Sequence, residues 1–184
     1  AHVVDTDAIS RALTATGGAA LGPIAQAFGP AAIAADGALD RAWMRERVFA
    51  DPTERQRLEA ILHPMIGEAT AAEAARAAPG QTVVFDVPLL TESAHWRDRV
   101  DRVLVVDCDE TVQVERVRAR NGWPEAQVRA VIAQQASRAQ RRAIADAVIV
   151  NQGLDLAALD AEVARLWALW ALSHPSPLKD GAGL

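Results

Sequence analysis

The chain has 184 residues, of which 51% are hydrophobic and 23% charged, with a formal net charge of −5. That is enough apolar material for one domain with a core of its own and an inserted subdomain. The mildly acidic balance argues against broad binding to nucleic acid or to anionic membranes.

His2-Val3-Val4 reads as a first strand, followed by Asp5, Asp7 and a helical pattern at Ala8-Ile9-Ser10-Arg11. Gly17-Gly18, Gly29-Pro30 and Asp36-Gly37 break the next region into short pieces. From Ala38 to Gly80 the chain is dense in Ala, Glu and Arg and is expected to be helical. Within it, "DPTERQRLEAIL" carries a helix start, with Asp51 as N-cap, Pro52 first and Glu54 third. His63-Pro64 is expected to stop one helix and start another, because proline disfavours the α conformation in the residue before it.

Three more apolar, β-branched runs follow: "TVVFDV" at 82–87, "RVLVVD" at 102–107 and "AVIV" at 147–150. Between the last two, Thr111 to Arg120 is helical, "NGWP" turns the chain, and Pro124 opens a helix with Val128, Val131 and Ile132 as its apolar stripe. Asp155 to Leu172 forms a final amphipathic helix, with Leu159, Val163, Leu166 and Trp170 on one face, and residues 173–184 read as tail. Nearly continuous apolar strands separated by helices predict an α/β fold, a parallel sheet covered on both faces.

Cys108 is alone, so there is no disulfide framework, and His2, His63, His95 and His174 lack the spacing of a zinc site. No apolar run approaches the roughly 20 residues of a membrane span and no signal peptide pattern is visible, so a reducing cytoplasm is the expected setting. Of 19 Lys and Arg residues only Lys179 is a lysine, a bias that GC-rich coding explains. Chemistry that needs a lysine in the folded body is not supplied by these residues.

Four motifs carry chemistry. Asp5 and Asp7 sit at the carboxyl end of a strand and, two apart on extended backbone, share a face; they could meet one ligand, or Asp7 could simply cap the following helix. "VVFDVPLLTE" is a hydrophobic strand ending in Asp86, the pattern that holds magnesium or its water shell in phosphate-loop proteins. Alone it is better read as a strand ending at a turn, and Glu92 four residues after Pro88 is open between a salt bridge and a substrate contact. Arg116 and Arg120 lie one turn apart, and Arg138, Arg141 and Arg142 cluster at i, i+3 and i+4. Convergent guanidinium groups suit a polyphosphate, though a solvated helix face is the commoner reason for an arginine pair. Two such groups flanking "NGWPEAQ" have the layout of an arginine-bearing lid over about 116–142. His63 in "ILHPMI" reads as a neutral turn histidine.

In order, "VVDTDAISR", "FGPAAIAADGALDRAWMRERVFAD", "LEAILHPMI", "VPLLTE", "RVLVVD", "QVERVRAR" and "QQASRAQRRAIADAVIVNQG" resemble the dephospho-coenzyme A kinase family, phosphate-loop kinases of the nucleoside-monophosphate-kinase type. The resemblance covers nearly the whole chain, and its "DG.L.R...R..VF.D", "HP.I" and "PLL.E" elements are specific. It implies a three-layer α/β/α fold with a parallel sheet, a kinase core over 1–18 and 80–172, and a helical coenzyme A-side subdomain over 19–79. The implied activity is transfer of the ATP γ-phosphoryl group to the ribose 3′-hydroxyl of dephospho-coenzyme A, with Mg2+, in the final step of coenzyme A synthesis. The implied partners are those two substrates, with no nucleic acid, membrane or obligate protein partner.

Carried over by position, Asp7 matches the carboxylate that accepts the hydroxyl proton and Arg138 the lid arginine on the transferring phosphate. Arg116, Arg120 and Arg141 fall on the nucleotide side, and Asn151 near the adenine end. Asp5, His63, Pro88, Leu89, Leu90 and Glu92 fall on the acceptor side, with Asp86 reaching magnesium through water. The chain departs from the family pattern at Glu59, where asparagine is expected. It also lacks G-x-x-x-x-G-K-[ST], the loop that follows the family's central first strand. That strand and loop are expected upstream. Residues 1–184 alone are therefore expected to be inactive or to bind the acceptor only. In their sheet, the strands at 82–87 and 102–107 are expected to flank the missing strand or to pair directly.

Overall fold

A computed structural model describes residues 1–93 and 96–171. The order is β1 (His2–Asp5), α1 (Thr6–Leu13), α2 (Leu21–Phe28), a 3-10 turn (Pro30–Ala32), α3 (Arg41–Ala50), α4 (Pro52–Ala74) and β2 (Val83–Asp86). Then come α5 (Trp96–Arg99), β3 (Leu104–Asp107), α6 (Glu110–Asn121), α7 (Glu125–Ile132), α8 (Arg138–Ala143), β4 (Ala147–Val150) and α9 (Leu156–Ala171). All four apolar runs of the sequence are strands. Leu172 and the tail at 173–184 lie outside the described residues.

Contacts divide the chain into two compact units, Ala1–Pro88 and a second that begins at Leu89, each described by itself. In the first, β1 and β2 pair in parallel with Val4 opposite Phe85 and Asp5 opposite Asp86. In the second, β3 and β4 pair in parallel with Val106 opposite Ile149 and Asp107 opposite Val150. Parallel pairing within each unit is as the sequence predicts. In the first unit cover is one-sided where two covered faces were expected: Val4 is wholly buried while Val3 is 62% and Val84 40% exposed. Alternating residues of a strand project to opposite faces, so Val4 and Phe85 share the covered face and Val3 and Val84 the open one, whereas in the second pair exposed Val106 and buried Ile149 share a face.

The core of the first unit lies among its helices, where Ala20, Ile24, Ala32, Leu39 and Met44 are buried together against Leu13, Phe28, Trp43, Leu58, Ile61 and Met65. The turn from α1 to α2 depends on Gly18, since a Cβ there would stand 2.3 Å from the Leu13 carbonyl oxygen. Thr14 is buried; its hydroxyl donates to Ser10 O at 2.9 Å and accepts from Arg41 at 2.8 Å, tying the end of α1 to the start of α3. Asp40 caps α3 through Trp43 N at 2.9 Å. Asp51 caps α4 through Thr53 N at 2.8 Å with Pro52 in the first turn, as its sequence signature predicts.

The expected break at His63-Pro64 does not occur, and α4 continues through Pro64 to Ala74. Proline inside a helix forfeits one backbone hydrogen bond and crowds the preceding turn. Here both halves of α4 are held by packing against α1, α2, α3 and β1, and that burial outweighs the local cost. His63 is thus an exposed helical residue, not a turn residue. In the second unit α6 ends at Gly122, whose left-handed conformation (φ 69°) caps it and starts the turn to α7. Of the expected stripe on α7, Val128 is buried but Val131 is 39% exposed. No helix among the described residues is long and apolar enough to cross a membrane.

Candidate active site

Acidic residues gather at the carboxyl ends of β1 and β2. The Asp5 carboxylate accepts from Ala8 N at 2.7 Å and stands 3.6 Å from the Arg11 guanidinium, so Asp5 is the N-cap of α1. The capping role that the sequence offered to Asp7 therefore falls to Asp5, whose backbone is still extended (φ −89°, ψ 105°). Asp7 lies in the first turn of α1, exposed, and its carboxylate makes no hydrogen bond or ion pair among the described residues. The helix N-terminus favours a negative charge there. Thr6 Oγ1 donates to Asp86 O at 2.9 Å and fixes the start of α1 against the end of β2. Thr6 was not singled out in the sequence; a hydroxyl between two acids at a strand-to-helix junction was the available signal. Asp86 is exposed, opposite Asp5 in register.

The second unit contains a denser network. Asp107, the last residue of β3, is buried, its side chain 1% exposed. Arg138 Nε donates to both of its carboxylate oxygens at 2.9 Å, and Arg142 Nη1 donates to Oδ2 at 3.0 Å. Arg138 Nη1 donates to Asp109. Two charged N–H donors, Arg138 Nε shared between both oxygens and Arg142 Nη1 on one, supply what removal of this carboxylate from water requires. The Arg138 pKa is raised, above all by the hydrogen bonds to Asp107, against the opposing effect of burial, with the charges of Asp107 and Asp109 adding smaller increases. A hydrogen bond with the Gln152 side chain, and then the Arg138 charge, hold the Asp109 carboxyl below the usual range.

Backbone geometry sets this network. Asn151 N donates to Asp107 O at 2.8 Å, so the "N.G" segment after β4 braces the end of β3. Ser137 caps α8 in a reciprocal capping box with Gln140. Just ahead of it, Glu92 accepts from Ala136 N at 2.6 Å and Arg141 Nη1 donates to Ala136 O. Arg138, Arg141, Arg142, Glu92 and Asn151 are thus joined around β3. Arg116 and Arg120 stand on the exposed surface of α6 outside that network, Arg120 Nε bonding Asn121 Oδ1 at 2.9 Å. Pro88 closes the first unit, while Leu89, 49% exposed, and half-buried Leu90 open the second.

Asp107 and Asp109 escaped the sequence reading. The signal for Asp107 was present: "RVLVVD" ends in an acid in the same way as the strand ending in Asp86. Among the described residues no three His, Cys, Asp or Glu side chains are grouped to hold a metal. A magnesium ion carried by phosphates keeps most of its water and needs only one or two carboxylates, and exposed Asp86 suits that role.

A family model described as dephospho-CoA kinase (CoaE) matches residues 1–155. A dephospho-CoA kinase of Bordetella pertussis is 59% identical over 153 residues, covering 83% of this chain and 71% of its own. One from Burkholderia pseudomallei is 57% identical over 166 residues, covering 90% and 81%. In three dimensions the chain is similar to a crystal structure of a Thermus thermophilus protein, with TM-score 0.76, 30% identity, and 94% and 85% of the two chains covered. It shares its fold with a Campylobacter jejuni dephospho-CoA kinase at TM-score 0.65 and 18% identity, covering 93% and 85%. A match of this extent and identity identifies the family: the chain belongs to the dephospho-CoA kinases.

Proposed function

We propose that the protein transfers the γ-phosphoryl group of ATP to the ribose 3′-hydroxyl of dephospho-coenzyme A, in the cytoplasm and without nucleic acid, membrane or obligate protein partner. The observation that carries the reading is Arg138, fixed at its Nε edge by buried Asp107 and so presented as a preset phosphate contact. Phosphoryl transfer of this kind is positioning plus charge neutralisation, with little covalent work for the protein. Asp86 would hold the water shell of a nucleotide-bound magnesium ion, which would supply charge neutralisation at the phosphates. Arg138 takes the charge that develops on the transferring group. Arg116, Arg120 and Arg141 serve the nucleotide side and Asn151 the adenine end.

Asp7, exposed and relieved of capping by Asp5, accepts the hydrogen bond of the attacking hydroxyl and orients it. In a loose transition state the hydroxyl proton leaves late, so orientation matters more than deprotonation. Residues 19–79 form the acceptor-side subdomain and about 116–142 the lid, with His63, Pro88, Leu89, Leu90 and Glu92 on the acceptor side and Asp5 supporting Asp7.

One observation favours a second reading, an acceptor-binding or inactive polypeptide: residues 1–184 contain no G-x-x-x-x-G-K-[ST] and Lys179 is their one lysine. Side-by-side phosphorylation of dephospho-coenzyme A and nucleoside monophosphates, by residues 1–184 and by the product of the full open reading frame, separates the readings. The proposal expects transfer to dephospho-coenzyme A alone and only by the full product. Acceptor binding without transfer by either polypeptide favours the second reading.

A further inference from the structure

We propose that Asp107 positions Arg138 for a substrate phosphate, and that Asp109 is the partner which that phosphate displaces. The inference rests on Arg138 as a phosphate contact and assigns the two acids different tasks. Asp107 is the fixed one: it is buried, its backbone carbonyl is braced by Asn151 N at 2.8 Å, and its two oxygens take Arg138 Nε at 2.9 Å. Arg142, at 3.0 Å on the same carboxylate, holds it in place when the other partner moves. Holding Nε sets the plane of the guanidinium and leaves the edge carrying Nη1 and Nη2, the pair whose spacing matches two phosphate oxygens.

Asp109 occupies part of that outer edge, because Nη1 donates to its carboxylate. Unlike Asp107 it is 48% exposed at the side chain, so it leaves without stranding a buried charge. It also stands at the N-cap position of α6 while making no side-chain cap bond, its carboxylate being committed to Arg138 instead. A phosphate arriving on the Nη edge repels Asp109 and competes for the same donor. The displaced carboxylate then has an alternative partner close by, the unpaired N–H groups in the first turn of α6. One acid holds the arginine, and the other keeps its working edge occupied until substrate takes it.

The test is steady-state kinetics on the complete encoded protein with ATP and dephospho-coenzyme A, as a double-mutant cycle. Asp107→Asn is expected to lower kcat by about 10- to 100-fold, since a misplaced group costs up to ~10²-fold. In an Arg138→Ala background the same change is expected to cost less than about twofold, because the residue it acts through is gone. Equal losses in both backgrounds mean a merely structural role and overturn the positioning. Asp109→Asn is expected to lower the KM for ATP severalfold; an unchanged or raised KM overturns the displacement. If Arg138→Ala itself turns over like the parent, the phosphate-contact reading fails, a result distinct from additivity at Asp107. Should Asp107→Asn not fold, nitrogen NMR of the Arg138 Nε–Hε group in the parent protein decides. The signal should stay in place when a non-hydrolysable ATP analogue is added, and movement to a solvent-exposed shift overturns the positioning.

Discussion

Two aspartates stand side by side at the start of α1, and the structure gives them separable consequences. Replacing Asp5 by alanine removes the cap bond to Ala8 N, 2.7 Å long, and the 3.6 Å contact with Arg11. Loss of an N-cap carboxylate costs typically about 1 kcal/mol, within a range of about 0.5–2. The Arg11 contact is exposed, with side chains 60% and 43% accessible, so solvent screening leaves it a few tenths of a kcal/mol at most. The sum is about 1–2 kcal/mol, or roughly 2–8 °C in melting temperature for a protein of this size. Asp5→Asn keeps an oxygen at the cap and should melt close to the parent. Asp7→Ala has no cap bond to lose and should be milder than Asp5→Ala. Thermal melts followed by circular dichroism test all three. A parental melting temperature for Asp5→Ala, or a larger drop for Asp7→Ala, would refute the assignment of the cap.

Asp7→Asn in the complete enzyme should lower turnover by about 10²–10⁴-fold while melting like the parent, and activity within about twofold of the parent would remove Asp7 from the chemistry. Ile24→Ala, at a fully buried position in the helical core, should destabilise by about 2–5 kcal/mol in urea unfolding; a loss below 1 kcal/mol would mean the site collapses around the change. Acid should weaken the start of α4. The Asp51 carboxyl is lowered from 3.8 by its hydrogen bonds to Thr53, so its contribution is present above that value and is lost as pH falls through the folded pKa. Asp51→Asn should flatten that part of the pH–stability curve, and an unchanged acid slope would contradict it.

Legibility followed the range of the interactions. The four strands were readable because β-branched residues come in bounded runs, and the start of α4 because Asp51 and Pro52 act within one turn. Pro64 misled because a local rule met a long helix packed along its length against four other elements. Asp5 and Asp7 could not be told apart by spacing: capping is decided by which residue still has extended backbone, and both precede the helical pattern. Arg138 was readable from its pattern, but its partners lie 31 and 29 residues away in sequence, so only the fold discloses Asp107 and Asp109.

Those distant partners also change the meaning of the arginine cluster. Arg138, Arg141 and Arg142 follow one another at helical spacing, yet the first and third share a buried carboxylate while the second bonds the backbone ahead of its own helix. Three like charges in a short helix are therefore not an undifferentiated phosphate magnet. One is positioned, one steadies the group that positions it, and one shapes the loop.

Phosphorus NMR of the product formed from ATP and dephospho-coenzyme A by the complete encoded protein tests the central claim most directly. The account predicts one new phosphomonoester on the ribose 3′-oxygen, formed in step with ADP and reduced strongly by Arg138→Ala. A phosphoryl group on another hydroxyl, or ADP release with no new monoester, would contradict it.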